Sequence, residues 1–496
     1  MSKKLRVLML VLAVLMIVPS ILAGCGGTED PAATTVATTA ATTVGTTEAT
    51  TTAATTAGTT SGTTAGTTEA TTPEATGLGG YEFILSADGG LWTEQAEMTA
   101  EYEELMDLYA AIEEELDCVI TVTRVESELE QLTTAAVGGY KLADFLECHQ
   151  MNWIPLVMMG GVRPLDEMIE AGLDLYNDKV FNQTYTLMTT LPGTDGVEHV
   201  WGLDMSGKYA SLTFGHYYAF NKELCEAAGY TADEMYQAVR DGEWDYEMML
   251  DIGRKTTADT DGDGVFDVHG LALDADGNEI WSNGIDFIEY KDGKWVSNAL
   301  HPQIMPALQF MADISQNDMQ IPVFGNTAGR GDRRTNFYQG RAAFAGLYGG
   351  NIDGDEFREM AGNNKVGALP IPKGPDADHY MMCFVDFDTY ICQAANQDWE
   401  KSIQVMNKIG AAITDWDAFR NQCLEYYGGD EQAIEMIFDV CFPNSFLNTA
   451  KASENLYELT RRGFFSNIYE LVLTPAASAE TYQDQIQAEI DSIFQQ

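Results

Sequence analysis

The chain has 496 residues, 45% of them hydrophobic, with 27 basic against 76 acidic residues and a formal net charge of −49. That balance argues against nucleic acid and anionic membrane surfaces as partners. The length suffices for more than one folded domain.

Residues 1–24 carry Lys3, Lys4 and Arg6, followed by the apolar run "VLMLVLAVLMIVPSILA" and a small-residue site. This pattern predicts a signal peptide. Leu22-Ala23-Gly24-Cys25 matches the lipobox of bacterial lipoproteins, so Cys25 is the expected lipidation site and the mature N-terminus. More than one acyl chain on one residue makes a stable anchor. The expected location is therefore the outer face of the cell membrane, with membrane contact through the lipid alone. Residues 25–78 continue as a Thr/Ala-rich tract that cannot bury a core and is expected to be a disordered linker. Its ends would lie about 40 Å apart on average.

Seven further cysteines follow: Cys118, Cys148, Cys225, Cys383, Cys392, Cys423 and Cys441. Seven cannot all pair, no CxxC spacing occurs, and several sit in apolar runs, so buried free thiols are expected.

From residue 79 the pattern becomes globular. "YEFILSA" reads as a buried strand, residues 93–116 as a helix, "CVITVTRV" as a strand, "SELEQLTTAAVGG" as a helix and "ADFLEC" as a third strand. Such alternation predicts a parallel sheet with helices on its faces. "GVRPLDEMIEAGLDL" reads as another helix. The pattern then restarts with "YYAF" as strand, "NKELCEAAG" and "DYEMMLDIGRKTT" as helices, and further helices over 300–315, 398–410 and 482–494.

Between the second of these and the strand "VHGLAL" lies "ADTDGDGVFDVHG". Asp259, Asp261, Asp263, the carbonyl of Val265 and Asp267 fall at calcium-loop positions 1, 3, 5, 7 and 9. Position 12 is Gly270 and no helix follows. The candidate readings are a structural Ca²⁺ site and a solvated turn at a helix-to-strand corner; no catalytic cofactor is expected.

Several segments resemble family 1 extracellular solute-binding proteins, the substrate-binding lipoproteins of bacterial ABC importers. They are "YYAFNKELCEAAGY", "GEWDYEMMLDIGRKTTADTDGDGVFDVHGLAL", "NFYQGRAAFAGLYGG", "KVGALPIPKGPD" and "DFDTYICQAANQDWEKSIQVMNKI", together with "ADFLE" and "GGVRPLDEMI". They run in consistent order from Tyr81 to the C-terminus. The resemblance implies an α/β, two-lobed, periplasmic-binding-protein-like fold. Each lobe would hold a mixed, mostly parallel sheet flanked by helices, with multiple hinge crossings. On this reading residues 79–205 and 388–428 form the first lobe, and 206–387 and 429–496 the second. Crossings are expected near 202–215, 384–388 and Gly428. Where the family has a basic residue this chain has "QAANQD", Tyr348 stands where the family has tryptophan, and 419–459 matches poorly.

The implied function is a receptor that closes on a solute, most readily a sugar or oligosaccharide, and hands it to ABC permease subunits. A monomer is expected. An exported glycan-active enzyme and a surface adhesin stay open as alternatives. Enzymatic motifs are scarce: "IWSNG" fails the nucleophile elbow, and HExxH, GxxxxGK[ST] and GxGxxG are absent.

Sugar sites need flat aromatic faces plus carboxylates or amides for hydroxyls. They lie beyond the carboxyl ends of strands, between lobes. "DGGLWTE", "ECHQMNW", "VWGLDM", "EIWSNG", "GLYGGN" and "FVDFD" occupy such places. The candidate ligand residues from these loops are Trp92, Glu147, Trp153, Asp204, Trp281, Asn283, Tyr348 and Asp386, with His149 and Glu279 in the same loops.

Overall fold

The computed structural model describes residues 77–87, 100–125, 128–209, 214–322 and 333–494. The expected signal peptide, Cys25, the linker up to residue 76 and Trp92 lie outside the described residues. Among the described residues fifteen strands occur in chain order: β1 (Tyr81–Ser86), β2 (Cys118–Thr123), β3 (Phe145–His149), β4 (Thr190–Pro192), β5 (Glu198–Val200), β6 (Gly202–Leu203), β7 (Tyr217–Asn221), β8 (His269–Ala272), β9 (Ile288–Lys291), β10 (Lys294–Ser297), β11 (Ala342–Leu347), β12 (Val366–Leu369), β13 (Met382–Phe384), β14 (Asp388–Ile391) and β15 (Ser445–Leu447).

The first lobe is built on a sheet in the order β2-β1-β3-β14-β6. β1 pairs parallel with β2 and β3, while β14 runs antiparallel to β3 and β6. The helix Ala100–Leu116 buries Leu105, Tyr109 and Ile112 against it. The helix Trp399–Ile413 adds Ile403, Val405, Met406 and Ile409 to the same core.

The second lobe is built on β12-β7-β11-β8, with β11 parallel to β8 and antiparallel to β7. Every residue of β7, β11 and β12 is buried. Strands apolar on both sides need cover on both faces. The amphipathic helices Ala232–Asp241 and Tyr246–Thr256 bury their apolar sides in this core. The first starts with a Thr231/Glu234 capping box; in the second, Asp245 caps the Met248 amide.

Between the two sheets runs a short ladder. β13 pairs parallel with β15, and His216 bridges antiparallel to Cys383. Gly215 lies against this ladder so closely that a Cβ there would meet the Cys383 carbonyl at 2.4 Å. Tyr185 packs on Phe384, Phe387 and Phe442, which makes this part of the hinge an aromatic cluster.

The third crossing differs from the expectation near Gly428. The chain leaves the helix Trp399–Ile413, and the Asp415 amide donates to the Ser206 carbonyl at 2.8 Å, beside the first crossing. Residues 416–428 then pack in the second lobe: the Tyr427 hydroxyl donates to that of Tyr217 at 2.6 Å, and Tyr427 meets Phe357 edge-on. The acidic, poorly matching sequence of this stretch hid its aromatic contacts.

The helix expected over "GVRPLDEMIEAGLDL" is only a 3₁₀ segment, Asp166–Ala171, because Pro164 precedes it and Gly172 stops it at φ 105°. The helix expected over 300–315 is a 3₁₀ turn at Pro302–Ile304 running into Met305–Ile314, and the last helix is longer than expected, Pro475–Phe494. All seven cysteines after Cys25 are free and buried.

Candidate ligand-binding site

Strand ends at the hinge bring together a cluster of charged side chains. β3 ends at His149, and the ladder places Asp388 directly opposite it. β13 runs through Phe384 toward Asp386, while its parallel neighbour β15 runs through Leu447 toward Lys451. The Lys451 ammonium donates to Asp386 Oδ1, and His149 Nε2 lies 3.3 Å from the same oxygen. Three segments therefore meet on one carboxylate, whose side chain is 59% exposed while that of Lys451 is 7% exposed.

From Lys451 the contacts continue into the second lobe. Its ammonium lies 4.6 Å from the centroid of the Tyr457 ring. The Tyr457 hydroxyl donates to Asp276 Oδ1 at 2.7 Å, and Arg461 Nε sits 2.9 Å from that oxygen. Asp276 and Asp274 follow β8. Asp274 accepts from Arg333 and, at 3.4 Å, from Arg334. The Arg334 guanidinium covers the Tyr348 ring at 5.2 Å, and Tyr348, just beyond β11, packs on His216 at 5.5 Å. The network thus connects the carboxyl end of β3 in one lobe with those of β8 and β11 in the other, as binding sites in open α/β sheets do.

The first-lobe side is acidic. Glu147, Asp204 and Asp388 all act electrostatically on the Tyr390 hydroxyl. Burial, with the nearby Asp388 charge adding to it, pushes the Asp204 carboxyl up to about 7. At Asp386 burial acts upward, but the His149 and Lys451 contacts outweigh it and hold the carboxyl well below the usual range. Asp386 therefore stays ionised and able to accept hydrogen bonds from hydroxyls.

Of the residues expected at the site, Tyr348 and Asp386 join this network, as does His149; Glu147 lies two residues before His149 on β3, and Asp204 follows β6 with its carboxylate buried beside Ser206. Trp153, Trp281 and Asn283 do not: they are 0%, 1% and 0% exposed. Trp281 stacks on Phe446 at 5.3 Å and donates its indole N–H to Asp286 at 2.8 Å. Its flanking glycine turns the chain but leaves the ring inside. Asn283 spends its amide on the Gln303 carbonyl, on Asp376 and on the Asp376 amide. Trp153 sits in the helix Gln150–Met158 within the core. Glu279 is likewise internal, held by the Tyr218 and Tyr469 hydroxyls at 2.8 and 2.7 Å, with its carboxyl raised by burial.

Lys451, Tyr457, Arg461, Asp274, Asp276, Arg333, Arg334 and His216 were missed. A signal existed for some. In so acidic a chain, "RGDRR" and "TRRG" are conspicuous concentrations of positive charge.

His216, Asp274 and Asp276 bring possible metal-ligand atoms within 4.8 Å of one another. Arg333, Arg334, Arg461 and Tyr457 already occupy the two carboxylates, so this set suits ion pairs better than a cation. In the acidic loop, atoms of Asp259, Asp261 and Asp267 come within 4.8 Å. Asp259 accepts from the Gly262 and Gly264 amides, Asp263 from Val265, and Asp267 from Thr260. The loop forms the expected helix-to-strand corner, closed by the Ala258–Val268 bridge.

No family model matches the sequence, and no curated protein matches it. Solved structures do match in three dimensions. The cyclic α-maltosyl-1,6-maltose binding protein of Arthrobacter globiformis aligns with TM-score 0.55 and 13% identity over 84% of this chain and 100% of that one. The GacH receptor of Streptomyces glaucescens, solved unliganded and with acarbose, aligns with TM-score 0.53 and 13% identity over 83% and 99%. UgpB of Mycobacterium tuberculosis, solved with glycerophosphocholine, aligns with TM-score 0.53 and 15% identity over 84% and 100%. The chain has the two-lobed α/β fold of extracellular solute-binding proteins.

Proposed function

We propose that the protein is a lipid-anchored receptor on the outer face of the cell membrane that captures a carbohydrate between its lobes and delivers it to an ABC importer. The observation that carries this reading is the charged network at the hinge. It joins side chains from the carboxyl ends of both sheets on Asp386, Lys451 and their neighbours. A ligand that touches both walls binds the closed form better than the open one, and that difference drives closure. Fixed Asp–Arg and Asp–Lys pairs present oriented acceptors and donors to sugar hydroxyls without further ordering. The fold neighbours named above that bind sugars support the substrate class. The lipobox at Cys25 supports the anchor.

No catalysis is assigned, and the protein acts as a monomer beside permease subunits. Calcium is proposed only as a structural ion in the loop of Asp259, Asp261 and Asp267. Addition of Ca²⁺ should raise the thermal midpoint of the wild type and leave Asp261→Ala unmoved. Equal midpoints with and without Ca²⁺ would leave a solvated turn.

The test of the function is a thermal-shift and calorimetric screen with mono- and oligosaccharides. Saturable binding without product formation is expected. Steady release of hydrolysis products would replace the receptor by a glycan-active enzyme.

A further inference from the structure

Among the described residues, Lys451, Arg461, Arg333 and Arg334 converge on the carboxylates of Asp386, Asp276 and Asp274. Lys451 is matched by Asp386, Arg461 by Asp276, and Arg333 by Asp274. Arg334 is left with the far oxygen of Asp274, an oxygen of a carboxylate that Arg333 already holds, at 3.4 Å. Its Nε is buried with no hydrogen-bond partner, while its side chain as a whole is 32% exposed. The guanidinium carbon lies over the Tyr348 ring, 5.2 Å from its centroid. A planar fork of donors, pre-oriented on an aromatic face and short of acceptors, is the arrangement that takes an oxyanion in bidentate fashion.

We infer that the solute carries an acidic substituent, a carboxylate or a phosphate, seated on Arg334 over Tyr348. This inference rests on the receptor reading and names its ligand class more closely. A neutral sugar needs no surplus guanidinium, since the three matched pairs already offer both donors and acceptors. The net charge of −49 does not oppose the assignment. At physiological ionic strength exposed charges are screened beyond about 8 Å, so the bound anion senses the neighbouring arginines rather than the distant surface. Asp386, the exposed carboxylate at the other end of the network, then takes the hydroxylated end of the ligand, which fixes its orientation.

The test compares matched ligands on the full mature chain: galacturonate and glucuronate oligosaccharides, sugar phosphates, and the neutral parents of each. The expected result is at least tenfold tighter binding of one acidic series than of its neutral parent, weakening as salt rises. Arg334→Gln should remove that preference, Arg334→Lys should keep part of it, and Arg358→Gln, which lies over Tyr426 away from the hinge, should keep all of it. The uronate and phosphate arms separate the two sources of the anion. Neutral parents binding as tightly as the acidic ligands, or a preference that survives Arg334→Gln, would overturn the inference and leave the receptor reading intact. Binding by neither series would overturn both.

Discussion

Asp386 accepts from Lys451 and lies beside His149, so its single charge ties β3, β13 and the segment after β15 together. Removing Lys451 leaves this carboxylate without its main counter-charge. Lys451→Met should weaken ligand binding at least tenfold and destabilise the protein by about 1–3 kcal/mol, the partial exposure of Asp386 softening the loss. Calorimetry and thermal denaturation check both numbers. Asp204 behaves oppositely. Its folded carboxyl is raised to about 7, so the native state binds a proton that the unfolded chain has lost between about pH 4 and pH 7. Stability therefore falls as pH rises through that window. Asp204→Asn should gain at least about 1 kcal/mol over wild type at pH 8 and nearly nothing at pH 4. Equal gains at both pH values would refute the shift.

At the scale of elements, β1, β2, β3, β7 and β8 were legible as apolar runs, and the helices between β1 and β3 as helical periods, whereas the short strands β4 to β6, β9, β10 and β13 to β15 carry too few residues to show a period. The site was half legible. Glu147, Tyr348 and Asp386 follow from a rule about strand ends. Lys451, Arg461 and Arg334 stand on segments whose partners are distant in sequence, and only the hinge ladder brings them together. Trp281 lies in the core because neighbouring glycines describe the backbone, not the ring, which packs on Phe446. Trp281→Ala should cost about 3–5 kcal/mol of stability, with unfolding curves as the check. A variant of unchanged stability that had lost ligand would return Trp281 to the site. Gly215 makes a sharper test of the hinge. Gly215→Ala puts a methyl 2.4 Å from the Cys383 carbonyl and should lower the thermal midpoint by several degrees, whereas Gly262→Ala in the exposed loop should do so only through its φ of 80°.

For the whole molecule, the charge of −49 and the local surplus of arginine at the hinge are statements at different ranges. The first concerns solubility and long-range encounter; the second carries the proposal of an acidic substituent on the ligand. The two-lobed fold brings side chains of both lobes into one network. The most direct test is isothermal calorimetry of the mature chain against neutral and acidic saccharides, with Asp386→Asn/Lys451→Met in parallel and the solution assayed for products. The account predicts one saturable site per chain, lost in the double variant, with the saccharide recovered intact. Binding that is indifferent to Asp386 and Lys451, or recovery of cleaved saccharide, would contradict it.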